Sequence, residues 1–261
     1  MKSAQPKLWF ESTESKVAEA IEFMREHEPP EGYGMGFSGG KDSIVLHWLA
    51  ERAGVTFRPH YADTTVDPPE LQRFMRKHYP HVKWVRRRKE HMWQRMINKR
   101  RIMLRHIRWC CAEYKEVGSS ITKERHMLLG IRAEESARRK AYPRHHMRTG
   151  GFRVHLYYPA LWFNAADVWE IIEGQGLPYP ALYDEGFDRL GCVVCPFRSG
   201  NAHAPWEERF PRHYRQFKRC LCKLVDNSQR YWFMRNVHDG YQLYDLWRRG
   251  NGALRGREVH E

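Results

Sequence analysis

The most constraining stretch of this chain is Phe37-Ser38-Gly39-Gly40-Lys41-Asp42-Ser43, which joins a short apolar run at 33–37 to an apolar helical run at 44–53. Two adjacent glycines let the backbone turn sharply and approach an anion with no Cβ in the way. The helix that follows presents free N–H groups and the positive end of its dipole. Lys41 adds a point charge, and Ser38 and Ser43 add hydroxyl donors. Together these make a phosphate cradle at a strand-to-helix turn. It is not a Walker loop, because the G-x-x-x-x-G-K-[ST] spacing is absent. The bland alternative is a glycine-rich turn that holds nothing.

A turn of this kind belongs in a parallel sheet, and the chain has the matching rhythm. A polar helix is expected at 12–27, then a breaker at 28–32. Strands follow at 33–37, 56–62, 83–87 and 126–131, with Pro69 able to open a helix after the second. Strand, helix, strand in this order predicts an α/β fold: a doubly wound, mostly parallel sheet covered on both faces. Asn164 is a plausible N-cap for a helix through Ile172, ended by Gly174. From Trp206 the apolar residues take helical spacing (Phe210, Tyr214, Phe217, Leu221, then 231–237 and 241–247), which predicts a helical C-terminal part. The organisation expected is a nucleotide-binding α/β domain over 1–200 and a helical extension over 201–261, with a frayed tail from Arg248. The basic run at 139–153 reads as a long loop.

Charge narrows the partners. The 261 residues carry 45 Lys and Arg against 31 Asp and Glu, a formal net charge of +14. Between Lys83 and Arg108 eleven basic residues face one acid, Glu90, which places 11 − 1 = +10 of that excess in 26 residues. Met92, Met96, Met103 and Ile107 recur at helical spacing there, so the segment reads as an amphipathic helix with a basic outer face. A solvated surface is the plain reading. A polyanion contact, either nucleotide phosphates or a DNA or tRNA backbone, is the sharper one. No apolar run approaches the roughly 18 residues of a membrane span. The first sixteen residues lack the apolar core of a signal peptide, so a cytoplasmic location and no membrane partner are expected. An oligomer is compatible with all of this.

In a reducing compartment, cysteines serve as metal ligands or reactive thiols more often than as disulfides. Cys110 and Cys111 are adjacent, and Cys192 and Cys195 form a CxxC 81 positions further on. Four thiolates suit zinc or an iron–sulfur cluster. Neighbouring cysteines on a single tetrahedral zinc would be strained, whereas the separated irons of a cubane accept them. Iron–sulfur is therefore favoured, with zinc or no metal as alternatives. Cys220 and Cys222 point apart on a helix and read as structural more readily than as a sulfur relay.

Taken together these motifs resemble a known family. Ser38–Ser43 is similar to the SGGxDS pyrophosphate loop of the ATP pyrophosphatase superfamily. The CC…CxxC set is similar to that of assimilatory adenylyl-sulfate reductases and their relatives, the phosphoadenosine phosphosulfate (PAPS) reductase family. The likeness extends to Gly130-Ile131-Arg132-Ala133-Glu134-Glu135-Ser136-Ala137-Arg138-Arg139 and to Leu182-Tyr183-Asp184-Glu185-Gly186-Phe187, and covers 33–198. It implies an adenine nucleotide α-hydrolase-like fold, an adenine nucleotide on Ser38, Gly39, Gly40, Lys41, Asp42 and Ser43, and a 4Fe–4S cluster on Cys110, Cys111, Cys192 and Cys195.

Further residues take roles from their positions. Asp63, Thr64 and Thr65 close the second strand, where ligands bind in open α/β sheets, and are candidates for adenosine contact. Arg132, Arg138 and Arg139 follow the fourth strand and suit a phosphate or sulfate. Lys115 would face the cluster or the anionic substrate. Lys41, Asp42 and Arg132 are the candidate catalytic groups, with Asp42 ordering the loop or a Mg²⁺ ion. Two features lean away from plain sulfate reduction: no cysteine follows Cys222 where the reductases carry a nucleophilic one, and Lys41 and Asp42 are intact. The expected activity is ATP cleavage to AMP and pyrophosphate, activating a substrate (nucleic acid among the candidates) for sulfur transfer. Reduction of adenylyl sulfate or PAPS to sulfite is the alternative. A non-catalytic iron–sulfur protein that binds nucleic acid is the third reading.

Overall fold

The structure, a computed structural model, describes residues 12–116, 118–149, 152–198, 200–226 and 237–249. Contacts group them into two compact units. The first takes the chain up to Ala62, Arg73–Val85 and Gly118–Arg189. The second takes Asp63–Gln72, Arg86–Val117 and the chain from Leu190 onward.

The strands are β1 (Tyr33–Gly36), β2 (Phe57–Ala62), β3 (Lys83–Val85), β4 (His126–Leu129), β5 (His145–Arg148) and β6 (Val154–Tyr157). In chain order the helices are α1 (Thr13–Glu26), α2 (Lys41–Ala53), α3 (Pro69–His78), α4 (Met92–Asn98), α5 (Gly118–Thr122), α6 (Ala137–Lys140), α7 (Ala165–Gly174), α8 (Ala204–Arg209), α9 (Pro211–Asp226) and α10 (Gly240–Arg249).

In the first unit the strands form one sheet of six, in the order β3-β2-β1-β4-β6-β5. All neighbours are parallel except β5 against β6. The order runs one way from β1 to β3 and the other way from β1 to β4, so the crevice between β1 and β4 is the switch point of a doubly wound sheet. This is the predicted fold class, with the helical C-terminal part present.

Local chemistry accounts for the elements. Ser12 caps α1 by accepting from the Ser15 N–H at 3.2 Å. Ala20, Phe23 and Met24, at i, i+3 and i+4, turn one face of α1 into the core. Helix α2 is apolar on most sides and is buried at Ile44, Val45, Leu46, Leu49, Ala50 and Ala53. These meet Tyr33, Met35 and Leu128 of the sheet and Val168, Ile171 and Ile172 of α7. Asn164 and Asp167 form the capping box of α7. Asp167 also takes an ion pair from Lys16 of α1 at 2.6 Å, with both side chains below 10 % exposed.

Two expectations are corrected. The basic segment 83–108 is not one amphipathic helix. After β3 it forms only α4, which ends at Lys99, and Arg100 takes a positive φ of 49°. Ile102, Met103 and Leu104 are all buried in succession, a pattern no single helix face can supply. The run 139–153 is not a loop throughout. His145–Arg148 pairs antiparallel with Val154–Tyr157 and forms the outermost strand. Its side chains alternate between exposed and half-buried, as an edge strand requires.

In the second unit α4 packs on α9, and α9 on α10. The helix expected at 231–237 lies outside the described residues except for Val237, as does the tail beyond Arg249. Among the described residues no helix is long and apolar enough to cross a membrane.

Replacing Asp167 by Ala strands the Lys16 ammonium and opens the α7 cap. Loss of one partner of a buried pair costs about 3 kcal/mol, so urea unfolding of Asp167→Ala should show a midpoint lowered accordingly. An unchanged midpoint would contradict this account of the α1–α7 contact.

Candidate nucleotide site and cysteine centre

In the first unit the loop after β1 carries the cradle. Gly39 has φ +70°, a left-handed conformation that glycine adopts without strain. Gly40 is the N-cap of α2 and provides no side-chain cap, and the Ser43 N–H in the first turn donates to the Gly40 carbonyl at 2.9 Å. The Ser43 hydroxyl accepts from the Ser38 N–H at 3.2 Å and donates to the Gly40 carbonyl at 2.8 Å. Ser38 and Ser43 hydroxyls lie 3.2 Å apart, which ties the two ends of the loop.

Lys41 is buried at 7 % exposure. Its ammonium donates to the Asp188 carbonyl at 2.9 Å and stands 3.8 Å from Asp42. Burial lowers its pKa, against the opposing pull of Asp42. The Lys41 N–H donates to the Tyr183 hydroxyl at 2.9 Å, and its ammonium lies 5.3 Å from the Tyr183 ring centre. Tyr183 and Asp188 therefore hold the start of α2. Neither was singled out as a site residue from sequence, although Tyr183 sits in the Leu182–Phe187 motif.

From β4 comes the other wall. Arg132, 5 % exposed, donates from Nε to Asp42 at 2.6 Å and from Nη1 to Glu134 at 2.5 Å. Glu135 accepts from the Arg132 N–H at 3.2 Å and pairs with Arg139. Burial lowers the Arg139 pKa, with Arg189 next in effect. Arg138 is exposed on α6. Lys41, Asp42 and Arg132 are thus brought together, Arg139 stands one carboxylate away, and Arg138 faces solvent.

Gly130 makes this approach feasible. A Cβ there would lie 2.9 Å from the Asp42 carbonyl oxygen and 3.1 Å from its carbon. By contrast, one on Gly174, exposed near the end of α7, would meet nothing within 4 Å.

The second unit contains the cysteines, all six of them free thiols. Cys111–Lys115 forms a π-helical turn, closed by Glu116 N–H donating to the Cys111 carbonyl at 2.7 Å. Such turns are rare and concentrate at functional sites. The Cys110 thiol shares a hydrogen bond with Cys111 and feels Cys192 and Cys195 electrostatically. That hydrogen bond, with help from Arg108 and Lys115, outweighs burial and brings the Cys111 thiol down to about 6. Burial, then Asp67, pushes Cys192 well up, and Thr64 is its hydrogen-bond partner. Desolvation works against the charged Lys115 ammonium, but Cys192, Asp67, Cys111 and Cys195 outweigh it and raise its pKa.

Asp63, Thr64 and Thr65 belong to this second unit. The Asp63 carboxylate pairs with Arg86 and accepts from the Thr65 N–H. The Thr65 hydroxyl accepts from the Met92 N–H at 2.9 Å and starts α4.

The CxxC turn rests on a support that sequence reading missed. Arg198 donates to the Cys192 and Val193 carbonyls at 2.9 and 2.8 Å while stacking 3.5 Å over Trp206. His203, fully buried, bonds the Arg198 carbonyl and the Tyr214 hydroxyl, each at 3.0 Å. The signal available was the string of buriable aromatics from Trp206, read only as helix core.

Among the described residues, no three His, Cys, Asp or Glu side chains converge as a ligand set for one ion. The donor chemistry suits a thiolate-held group all the same, since Cys110 feels the other three free thiols of its unit and those three act on the one Lys115 ammonium.

The sheet order, the β1/β4 crevice and the glycine turn at its mouth define an adenine nucleotide α-hydrolase-like fold. Residues 33–198, well over half of the chain, match the model of the phosphoadenosine phosphosulfate reductase domain, and the chain belongs to that family. It is 28 % identical over 224 residues to an uncharacterized protein of Methanocaldococcus jannaschii, covering 82 % of this chain and 45 % of that protein. It is 23 % identical to the adenosine 5′-phosphosulfate reductase of Bacillus mycoides over 63 % of this chain and 73 % of the relative. The chain spans less than half the length of that archaeal relative and 40 % of a second one. Among solved structures, the PAPS reductase of Candida auris, a phosphate complex, superposes with a TM-score of 0.51 at 15 % identity over 72 % of this chain and 98 % of that one. The FMN adenylyltransferase of Candida glabrata, with FMN and an ATP analogue, gives 0.52 at 15 % identity over 74 % and 68 %. At these identities the two structures speak for the fold alone.

Two predictions follow from the packing. Gly130→Ala should cost roughly 1–3 kcal/mol by overpacking, while Gly174→Ala should gain roughly 0.5–1 kcal/mol from helix propensity; thermal melts of the pair check the contrast. Burial also holds His203 neutral, with its pKa lowered from 6.5 to about 4. A lowered folded-state value means stability that is complete above pH 6.5 and lost as pH falls from there towards 4. Roughly 3 kcal/mol is at stake, and His203→Gln should flatten the pH dependence of unfolding across that window.

Proposed function

We propose that this chain is an ATP-dependent activating enzyme, whose loop Ser38–Ser43 holds the pyrophosphate end of the nucleotide. The observation that carries this reading is the arrangement at the β1/β4 switch point. There the first turn of α2, the buried Lys41 ammonium and the Arg132–Asp42 pair come together just after the carboxyl ends of β1 and β4. Backbone N–H groups and Lys41 would neutralise charge on the leaving pyrophosphate, so catalysis comes from positioning and electrostatics without a protein nucleophile. Arg132 orients Asp42, which orders the loop or a Mg²⁺ ion. A substrate oxygen attacks the α-phosphorus and pyrophosphate departs. A sulfur nucleophile at the sulfide level then displaces AMP from the activated carbon, with no net oxidation or reduction.

Cys110, Cys111, Cys192 and Cys195 would hold a 4Fe–4S cluster, which supplies thiophilic iron where sulfur can be kept. Lys115 offsets the negative charge of that thiolate set. Arg198, His203 and Tyr214 keep the CxxC turn in place.

A second reading, reduction of adenylyl sulfate or PAPS to sulfite, is favoured by the Bacillus relative, named as an adenosine 5′-phosphosulfate reductase. Sulfite formed from either nucleotide with a thiol donor would decide for it.

Anaerobically purified protein should release pyrophosphate from ATP in the presence of an acceptor. Removing one charge-stabilising donor typically costs about 100-fold, so Lys41→Ala should lose at least that much in rate with the fold intact. No release with any acceptor would overturn the ATP reading.

A further inference from the structure

Phe197 is an exposed aromatic ring in a guarded position. It follows the CxxC by two residues and is 42 % exposed. The Arg105 and Arg108 guanidinium carbons lie 5.5 and 5.3 Å from its ring centre. Its neighbour Arg198 turns inward to the Cys192 and Val193 carbonyls, which fixes the turn while Phe197 remains outside. Arg108 also hydrogen-bonds Cys111, so the ring, the two arginines and the thiols belong to one neighbourhood of the second unit.

The basic segment contains both internally paired and exposed residues. Arg95 and Lys99 are consumed internally by Glu113, at 2.7 and 2.6 Å, and hold that carboxylate down to about 2 against burial. Arg87, Lys89, Arg100, Arg101, Arg105 and Arg108 are exposed. Arg108 keeps a Glu116 partner at 2.7 Å, itself at the surface. A solvated face of a helix would not explain this set, because 99–108 is an irregular run with Ile102, Met103 and Leu104 anchored in the core. The anchored run leaves Arg105 and Arg108 exposed at the Phe197 ring.

We infer that Phe197, flanked by Arg105 and Arg108, is a stacking platform for an unpaired base, and that the other exposed basic residues of the same unit carry the phosphates of a single-stranded nucleic acid. Stacking on an aromatic side chain requires a base free of its helix, and every base offers a π-face, so the platform prefers single strands over duplex and tolerates sequence. Two arginines at the ring serve both as cation–π partners and as phosphate contacts. A free nucleotide would occupy only the ring and its two arginines; a strand uses the rest of the set. The inference deepens the proposed function by assigning the class of acceptor, and rests on that reading for this point alone.

The test is fluorescence anisotropy without ATP, using full-length protein purified anaerobically. The probes are a labelled mixed-sequence 20-nucleotide DNA strand, its RNA counterpart and the matching DNA duplex, each titrated across salt. At least one single strand should bind about 10-fold or more tighter than the duplex. Loss of one stacked base by Phe197→Ala should weaken strand binding about 10-fold, while Phe197→Trp retains it. Arg105→Gln should lower the salt slope by about 0.7 for single strands. The DNA and RNA arms identify which strand is preferred. Duplex binding equal to or tighter than both strands, or unchanged affinity in Phe197→Ala, overturns the inference. If Phe197→Ala fails to fold, Phe197→Trp, the duplex comparison and the Arg105→Gln slope still decide it. Lys41→Ala should keep full strand affinity. Strand binding that fails while pyrophosphate release survives removes this inference alone, and the reverse result removes only the ATP reading.

Discussion

The first unit depends on a clasp between the end of β4 and the first turn of α2. Gly130 admits the Asp42 backbone at a distance that no side chain would allow, and Arg132 then grips the Asp42 carboxylate from within the protein. A buried guanidinium is tolerable only when its hydrogen bonds are made, and Asp42 and Glu134 make them. The same contacts fix the helix that the glycine turn leads into. Tyr183 and the Asp188 carbonyl complete the clasp from the far end of the unit. The start of α2 is thereby fixed by contacts within the protein, the kind of preorganisation that catalysis by positioning would require.

The cysteine-bearing unit solves a different problem, that of holding a tight CxxC turn. Its solution is a second layer drawn from the C-terminal helices. Arg198 ties the turn's carbonyls, Trp206 covers Arg198, and His203 and Tyr214 fasten both. The helices after residue 200 thus serve the cysteines and are more than an appendage packed for bulk.

What could be read from the chain alone was mostly local. The glycine turn, the cap at Asn164, the opening of α3 at Pro69 and the strand–helix alternation all depend on residues within a few positions of each other. Tyr183 was invisible as a site residue because its partner, Lys41, is 142 positions away. The β5–β6 hairpin escaped notice because β5, His-His-Met-Arg, has no β-branched residue to signal a strand and β6 is only four residues long. The long helix expected over the basic segment failed at Ile102–Leu104, where three neighbours seek the core together. Periodicity had matched Met92, Met96 and Met103 without testing what lay between. The contact of Thr64, at the end of β2, with the Cys192 thiol was likewise invisible, the two being far apart in the chain.

Both margins of the six-stranded sheet are poor templates for a further strand. On one side β3 is three residues long and begins with an exposed lysine. On the other, β5 reads His-His-Met-Arg, so an incoming chain would meet imidazoles and a guanidinium where it needs apolar partners. Short length and charge are two of the ordinary means by which native sheets avoid edge-to-edge growth. A chain with much apolar and aromatic surface to bury while folding thus has sheet rims that discourage it from templating its own aggregation.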